Sequence, residues 1–340
     1  MTAETTGQPV LRVEDLTTEF DTAGGTVRAV NGVGFAVAAG ETLGVVGESG
    51  SGKSITLLSL LGLLPANGRV VSGSVRFGDL ELIKASERRL QQVRGGGIGM
   101  IFQDPMTALN PVMTIAQQID ESLRRHSRGL GRRGRRARVV ELLDQVGIPR
   151  AARRADQFPH EFSGGMRQRA MIAMAMANRP AVLLADEPTT ALDVTVQAQI
   201  LDLLQELQRE TGTALVLITH DLGVIAEVAD RAVVMYAGRV VEEGTVTQLF
   251  HDPRHPYSRG LLRSRPTLAA VAGAELPAIP GQPPNPARLP EGCAFRPRCD
   301  RSAGRDACLS RPELIMIDGG HAAACHFEAE TEPAELGRSA

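Results

Sequence analysis

Between residues 11 and 47 the hydrophobic positions come in short runs separated by glycines: Leu11–Leu16, Val27–Val37 and Thr42–Val46. Runs of this kind predict strands. A Gly/Ser loop follows and opens into an apolar helix over Ile55–Leu64, and a strand at Gly99–Phe102 stops at Gln103-Asp104-Pro105. Met113–Val146 reads as helical. A further helix runs from Ser163-Gly164-Gly165 to Asn178, and the wholly apolar Ala181–Ala185 reads as a buried strand. Across Val194–Gln208, the residues Val196, Ile200, Leu203, Leu204 and Leu207 recur at helical spacing and predict one buried stripe. A strand over Ala214–Ile218, a short helix from Leu222 and a strand over Ala232–Met235 complete the pattern. Apolar strands alternating with helices predict an α/β fold with a mostly parallel sheet covered on both faces. No internal repeat interrupts it.

The 340 residues, 43% hydrophobic and 22% charged, suit one large or two medium domains and exclude intrinsic disorder. The longest apolar stretches, Met171–Ala177 and Ala181–Ala185, are split by Asn178, Arg179 and Pro180. Both fall well short of the roughly 18 residues a membrane helix needs. Met1–Val10 is polar and carries no basic flank before an apolar core, so no signal peptide is expected. A net charge of −2 argues against a dedicated nucleic-acid binder. The expectation is a soluble cytoplasmic protein. Of 37 basic residues only Lys53 and Lys84 are lysines, which singles out position 53 as one needing a compact ammonium. The character changes from about His255: six prolines between Pro277 and Pro290 mark a linker or irregular loop, and all four cysteines lie beyond it.

The chemistry is concentrated in two places. Gly47-Glu48-Ser49-Gly50-Ser51-Gly52-Lys53-Ser54 fits the phosphate-binding P-loop without a gap, after an apolar strand and before a helix. Its glycines let successive N–H groups turn toward phosphate oxygens, and the helix N-terminus adds favourable partial charge. Lys53 would neutralise the outer phosphates and Ser54 would bind Mg²⁺. The strand Val182–Ala185 runs into Asp186-Glu187. Carboxylates at the C-terminal edge of such a sheet sit where open α/β sheets bind ligands. Asp186 is the candidate Mg²⁺ residue and Glu187 the group that polarises the attacking water. Together the two motifs predict hydrolysis of a nucleoside triphosphate.

Phe162-Ser163-Gly164-Gly165-Met166-Arg167-Gln168, between the P-loop and the acidic strand, resembles the signature of ATP-binding-cassette (ABC) ATPases. Gln103 resembles that family's Q-loop, Ala191-Leu192-Asp193 its D-loop, and Thr219-His220 its switch histidine, while Phe20 stands where the family stacks an aromatic on adenine. Position 166 is Met where many cassettes have Gln, and 162 is Phe where many have Leu. The resemblance implies a P-loop NTPase (RecA-like) core with an antiparallel β subdomain, a helical subdomain at about 104–161, and a small irregular C-terminal extension. The expected domains are 1–252 and 253–340. It further implies a dimer in which each ATP lies between the P-loop of one subunit and the signature of the other. Ser163, Gly164 and Gly165 would reach the γ-phosphate, Asp193 would act across the interface, and Gln103 would touch both Mg²⁺ and nucleotide. The arginine-rich stretch 124–138 reads as a solvated helical face, with a contact to a partner or to anionic lipid as the alternative.

Three segments resemble the oligopeptide, dipeptide and nickel import branch in particular: Phe102–Pro111, Pro159–Arg169, and His255-Pro256-Tyr257 with Arg259-Gly260-Leu261-Leu262. The extension of that branch ends here in Gly292-Cys293-Ala294-Phe295-Arg296-Pro297-Arg298-Cys299. Cys293, Cys299, Cys308 and Cys325 lack the C-x-x-C knuckle usual for structural zinc. Four clustered cysteines in a cytosolic chain favour a metal, and some members of the branch carry a 4Fe–4S cluster. Zinc, and unligated or disulfide-bonded cysteines, remain the alternatives. The expected function is ATP hydrolysis driving uptake of di- and oligopeptides from the cytoplasmic face of the membrane, or alternatively of nickel or another small solute. Expected partners are a second cassette subunit (a paralogue favoured over an identical chain), two membrane permeases and an extracytoplasmic solute-binding protein. Nucleic acid is not expected, because one P-loop, one signature and a short insert do not suit a DNA or ribosome machine.

Overall fold

A computed structural model describes residues 8–127, 129–190, 192–264 and 278–328. Ala191 of the predicted D-loop, Arg128 of the arginine-rich stretch and Pro277 of the linker lie outside them. The chain packs as two compact units, each assembled from separated stretches.

The first unit comprises Met1–Leu11, Ala36–Thr42 and Arg76–Ile218. Its centre is a parallel sheet of Ile98–Ile101, Val182–Asp186 and Ala214–Ile218, paired Ile98 to Val182 and Asp186 to Ile218. Every residue of the last two strands is buried, as near-continuous apolar runs require in a sheet covered on both faces. The helix Gly164–Met176 buries Ala170–Ala173, and Val194–Thr211 buries Ile200, Leu201, Leu203, Leu204 and Leu207. Val196 does not join that stripe. It is only half-buried and lies against the signature turn, where a β-carbon on Gly165 would come 3.1 Å from Val196 Cγ1.

The single helical stretch expected over Met113–Val146 is two helices, Ile115–His126 and Arg132–Gln145. Gly129, with φ of 108°, and Gly131, which caps the second helix, stand in the break. Thr114 and Gln117 form a reciprocal capping box that starts the first helix. Asn178 anchors this region: its amide donates to the Gly95 carbonyl and Ser122 Oγ, and accepts from the Ser127 hydroxyl. Part of the arginine-rich stretch is paired rather than merely solvated. Arg135 meets Asp120 at 2.6 Å, Arg136 meets Asp156 at 2.6 Å and Arg138 meets Glu141 at 2.7 Å.

The second unit comprises Arg12–Phe35, Leu43–Val75 and Thr219–Ala340. Leu11–Thr22 and Gly25–Val37 form a hairpin about Ala23-Gly24, and Gly68–Phe77 lies beside the first of them. That third strand escapes sequence reading because only Val75 of its ten residues is buried. Thr42–Val46 pairs parallel with Arg231–Tyr236, Val46 opposite Val234. Arg239–Thr245 returns antiparallel across Ala237-Gly238, both at positive φ, as a tight hairpin requires. The helix expected over Ile55–Leu64 runs from Lys53 to Leu60 and stops ahead of Gly62, whose φ is 60°.

The C-terminal extension is irregular over much of its length but also adds strands. His321–Ala323 pairs with Arg239–Thr245, and Ile315–Asp318 pairs with His321–Ala323. Glu242 is completely buried beneath it. Its carboxylate accepts from the Arg254 N–H at 2.6 Å and the His255 N–H at 2.9 Å, and Oε1 lies 2.8 Å from His321 Nε2.

Candidate active site

In the second unit, the apolar strand Thr42–Val46 delivers Gly47, and the loop to Ser54 ends in the Lys53–Leu60 helix. The tight turn leaves no room for a side chain at two of its glycines. A β-carbon on Gly47 would sit 2.2 Å from the Met235 carbonyl oxygen, and one on Gly52, at φ of 100°, would sit 2.5 Å from that of Ala29. Ser49 and Gly50 form the exposed crest, and Gly50 has open space around it. Lys53 is buried and donates to the carbonyls of Gly47 and Glu48 at 2.8 and 3.0 Å. Ser51 Oγ is buried and has no hydrogen-bond partner among the described residues. A buried lysine folded over a glycine-rich turn, beside an unsatisfied hydroxyl, fits the chemistry of phosphate oxygens.

Two other predicted residues lie in this unit. The Thr219 N–H donates to the Val45 carbonyl, which sets exposed His220 beside the strand that leads into the loop. Phe20 is half-buried, its ring lying on Gly68, where a β-carbon would meet Phe20 Cε1 at 2.7 Å.

In the first unit, Asp186 is buried at the C-terminal end of its strand, and half-buried Glu187 follows with φ of 45°. Glu187 Oε2 accepts from Gln103 Nε2 at 3.1 Å and from the Thr190 hydroxyl at 2.8 Å. The structure thus joins two predicted site residues that are 84 positions apart. Thr190 is a partner that sequence reasoning missed. Ser163 caps the Gly164–Met176 helix, its side chain accepting from the Met166 N–H, and Gly164 has open space where a β-carbon would go. Exposed Asp193 caps the next helix by accepting from the Val196 N–H at 3.0 Å. Both turns therefore present a helix N-terminus, the arrangement that favours anions.

In the extension, Cys293, Cys299, Cys308 and Cys325 line one apolar cavity with Phe295, Pro312 and Phe327. None forms a disulfide. Burial pushes the thiols of Cys293, Cys299 and Cys325 up, that of Cys325 to about 11, and the neighbouring thiols push in the same direction. Among the described residues no group of three or more His, Cys, Asp or Glu side chains could hold a metal ion between them. Four thiols lining one cavity are the donor type that a 4Fe–4S cluster takes.

The extension also touches the P-loop. Arg298 places its two Nη atoms on the two carboxylate oxygens of P-loop Glu48, at 2.7 and 2.9 Å. The Glu48 N–H donates to the Tyr257 hydroxyl at 2.7 Å. In the sequence, Arg298 stands out only as one residue of the Gly292–Cys299 segment that resembles the import branch.

The family model described as "ABC transporter" matches residues 30–190, and that described as "Oligopeptide/dipeptide transporter, C-terminal region" matches 241–308. The oligopeptide transport ATP-binding protein OppD of Bacillus subtilis is 54% identical over 92% of this chain and 87% of its own length. A Brucella melitensis protein named for ATP binding in peptide import is 49% identical over 99% of this chain and all of its own. Among solved structures, the dimeric ATP-binding cassette MJ0796 bound to ADP and phosphate superposes with a TM-score of 0.63 at 30% identity, over 69% of this chain and 98% of that one.

Proposed function

The chain belongs to the ABC transporter ATP-binding proteins, in the branch that serves peptide import, and from that premise we propose how its residues do the work. It is the ATP-hydrolysing subunit of a peptide importer, peripheral to the membrane, and its partners are membrane permeases. Among the described residues no helix is long and apolar enough to cross a membrane itself. The observation that carries the catalytic reading is the Gln103–Glu187–Thr190 contact, which holds one carboxylate at the end of a buried strand in a strained backbone conformation.

In this reading the N–H groups from Gly47 to Ser54 cradle the phosphates of ATP. Lys53 leaves the carbonyls of Gly47 and Glu48 to meet the outer phosphates, and Phe20 stacks on the adenine. Mg²⁺ would be held by Ser54, Gln103 and Asp186, whose oxygen donors suit a hard cation. Bound there, it neutralises charge on the phosphates. Glu187 accepts a proton from the attacking water, with Gln103 and Thr190 orienting its carboxylate, and His220 holds the γ-phosphate and that water. Ser163, Gly164 and Gly165 act from their helix N-terminus on the nucleotide of the partner subunit, with Asp193 across the same interface. ATP then favours the closed dimer and hydrolysis reopens it. The second cassette is a paralogue, the site faces the cytoplasm, and an extracytoplasmic binding protein supplies the peptide.

Glu187→Gln is expected to keep ATP binding, to lose about 100-fold or more in hydrolysis, and to accumulate as an ATP-bound dimer on size exclusion. Lys53→Ala is expected to lose nucleotide binding. Hydrolysis by Glu187→Gln at the wild-type rate would refute the role given to Glu187.

Cys293, Cys299, Cys308 and Cys325 would hold a 4Fe–4S cluster, clamping an extension that has little secondary structure of its own. Protein prepared without oxygen should carry about four irons and four sulfides per chain and absorb in the visible. Colourless protein without iron or sulfide would remove the cluster from the account.

A further inference from the structure

The extension reaches the phosphate-binding loop through one residue type that a P-loop does not itself require. Glu48 is the second residue of the loop, and a carboxylate there adds negative charge where the loop must attract phosphate. Arg298 answers it with a bidentate fork, its two Nη atoms on Oε2 and Oε1 at 2.7 and 2.9 Å. Planar pairing of this kind sets direction as well as charge.

Arg298 is itself held on every side. Its side chain is 5% exposed, Nε donates to the Pro280 carbonyl at 2.9 Å, and the guanidinium carbon lies 5.9 Å from the ring centres of both Tyr236 and Phe295. Tyr236, Tyr257 and Phe295 pack on one another with centroids 4.6 to 5.4 Å apart, a rigid aromatic bed under the arginine. Tyr257 is completely buried, and its hydroxyl accepts the Glu48 N–H at 2.7 Å. Glu48 is therefore pinned at its backbone and at its side chain, and its carbonyl is one of the two that hold Lys53 Nζ.

We propose that Arg298 and Tyr257 are positioning residues of the nucleotide site, so that the shape and charge of the P-loop depend on the C-terminal extension. Arg298 cancels the Glu48 charge and fixes its carboxylate away from the phosphates. Tyr257 fixes the Glu48 peptide, and with it the carbonyl on which Lys53 rests. The short turn that carries Arg298 also joins Cys293 to Cys299, so the four-cysteine cavity and the P-loop share one piece of chain. By linkage, nucleotide binding steadies the extension as much as the extension steadies the loop. The inference rests on the reading that Gly47–Ser54 binds the phosphates of ATP.

The test is equilibrium binding of a fluorescent ATP analogue to the full-length chain, with KM and kcat for ATP in the assembled transporter. Removing one side of a desolvated, hydrogen-bonded charge pair leaves the other unanswered. Arg298→Gln is thus expected to weaken ATP binding and raise KM by about tenfold, with kcat within about twofold of wild type. The double variant Glu48→Gln/Arg298→Gln removes the stranded charge and should recover most of the lost affinity. Tyr257→Phe keeps the aromatic bed, loses the hydroxyl, and should weaken binding by about threefold. A merely structural arginine would lower stability in single and double variants alike and would show no such recovery. Wild-type affinity in Arg298→Gln, or a double variant as weak as the single, overturns the proposal while Lys53→Ala still fails to bind. Failure of the wild-type chain to bind the analogue is a different result and strikes the P-loop reading itself.

Discussion

Lys53, Ser54, Asp186, Glu187 and Ser163 are legible from sequence because phosphate and metal chemistry restrict which residue types can stand at each place and at what spacing. The partners that orient such residues are not restricted in that way. Thr190 completes the setting of Glu187, yet a threonine after a strand looks like any other. Arg298 meets Glu48 across 250 positions, a separation over which pattern carries no information. Glu242 is the same kind of residue. No motif singles it out, yet it is wholly buried in Arg239–Thr245, accepting two backbone N–H groups and facing His321. Glu242→Ala would leave all three groups without a partner in a dry site, and is expected to destabilise the protein by about 3–5 kcal/mol. Chemical denaturation measures this directly. A loss below about 1 kcal/mol would mean that water replaces the carboxylate.

At the scale of elements, Thr42–Val46, Ala214–Ile218 and the helix from Leu222 follow the sequence pattern closely, because each has a face or a whole run committed to the core. Reading fails where the pattern is diluted. Gly68–Phe77 buries only Val75, and the short strands Ile315–Asp318 and His321–Ala323 exist only because Arg239–Thr245 offers an edge to pair with. The helix Pro256–Arg263 begins on an unusual cap: buried His255 accepts the Tyr257 N–H through Nδ1 at 3.1 Å. That bond requires the neutral ring, and burial lowers the His255 pKa from 6.5 to about 4. The unfolded chain protonates this histidine below pH 6.5 whereas the folded chain resists until about pH 4. Stability at this site is therefore full above pH 6.5 and is lost as pH falls toward 4, by about 3 kcal/mol in all. His255→Asn, which caps without titrating, should flatten the wild-type decline in melting temperature over that window. An equal decline in both proteins would assign the acid sensitivity elsewhere.

For the molecule as a whole, alternating strands and helices make the α/β class evident, and the order of motifs makes the cassette evident. The close tie between the extension and the P-loop is not evident, because a proline-rich linker suggests an appendage. Instead Thr219–Ala340 packs in one compact unit with Leu43–Val75, and the cysteine-bearing turn supplies the arginine that meets Glu48. In the proposed mechanism a chain with one P-loop and one signature acts through a second cassette, and the work of hydrolysis is delivered to membrane permeases. In the proposed mechanism, hydrolysis at Glu187 drives peptide uptake. The most direct measurement is ATP-dependent uptake of labelled di- to pentapeptides by the complete transporter, with wild-type chain or with Glu187→Gln. Uptake is expected with the wild type and is expected to be lost in the variant although ATP still binds. Peptide uptake that persists undiminished with Glu187→Gln in every cassette, or uptake of nickel and not of peptides, would contradict that mechanism.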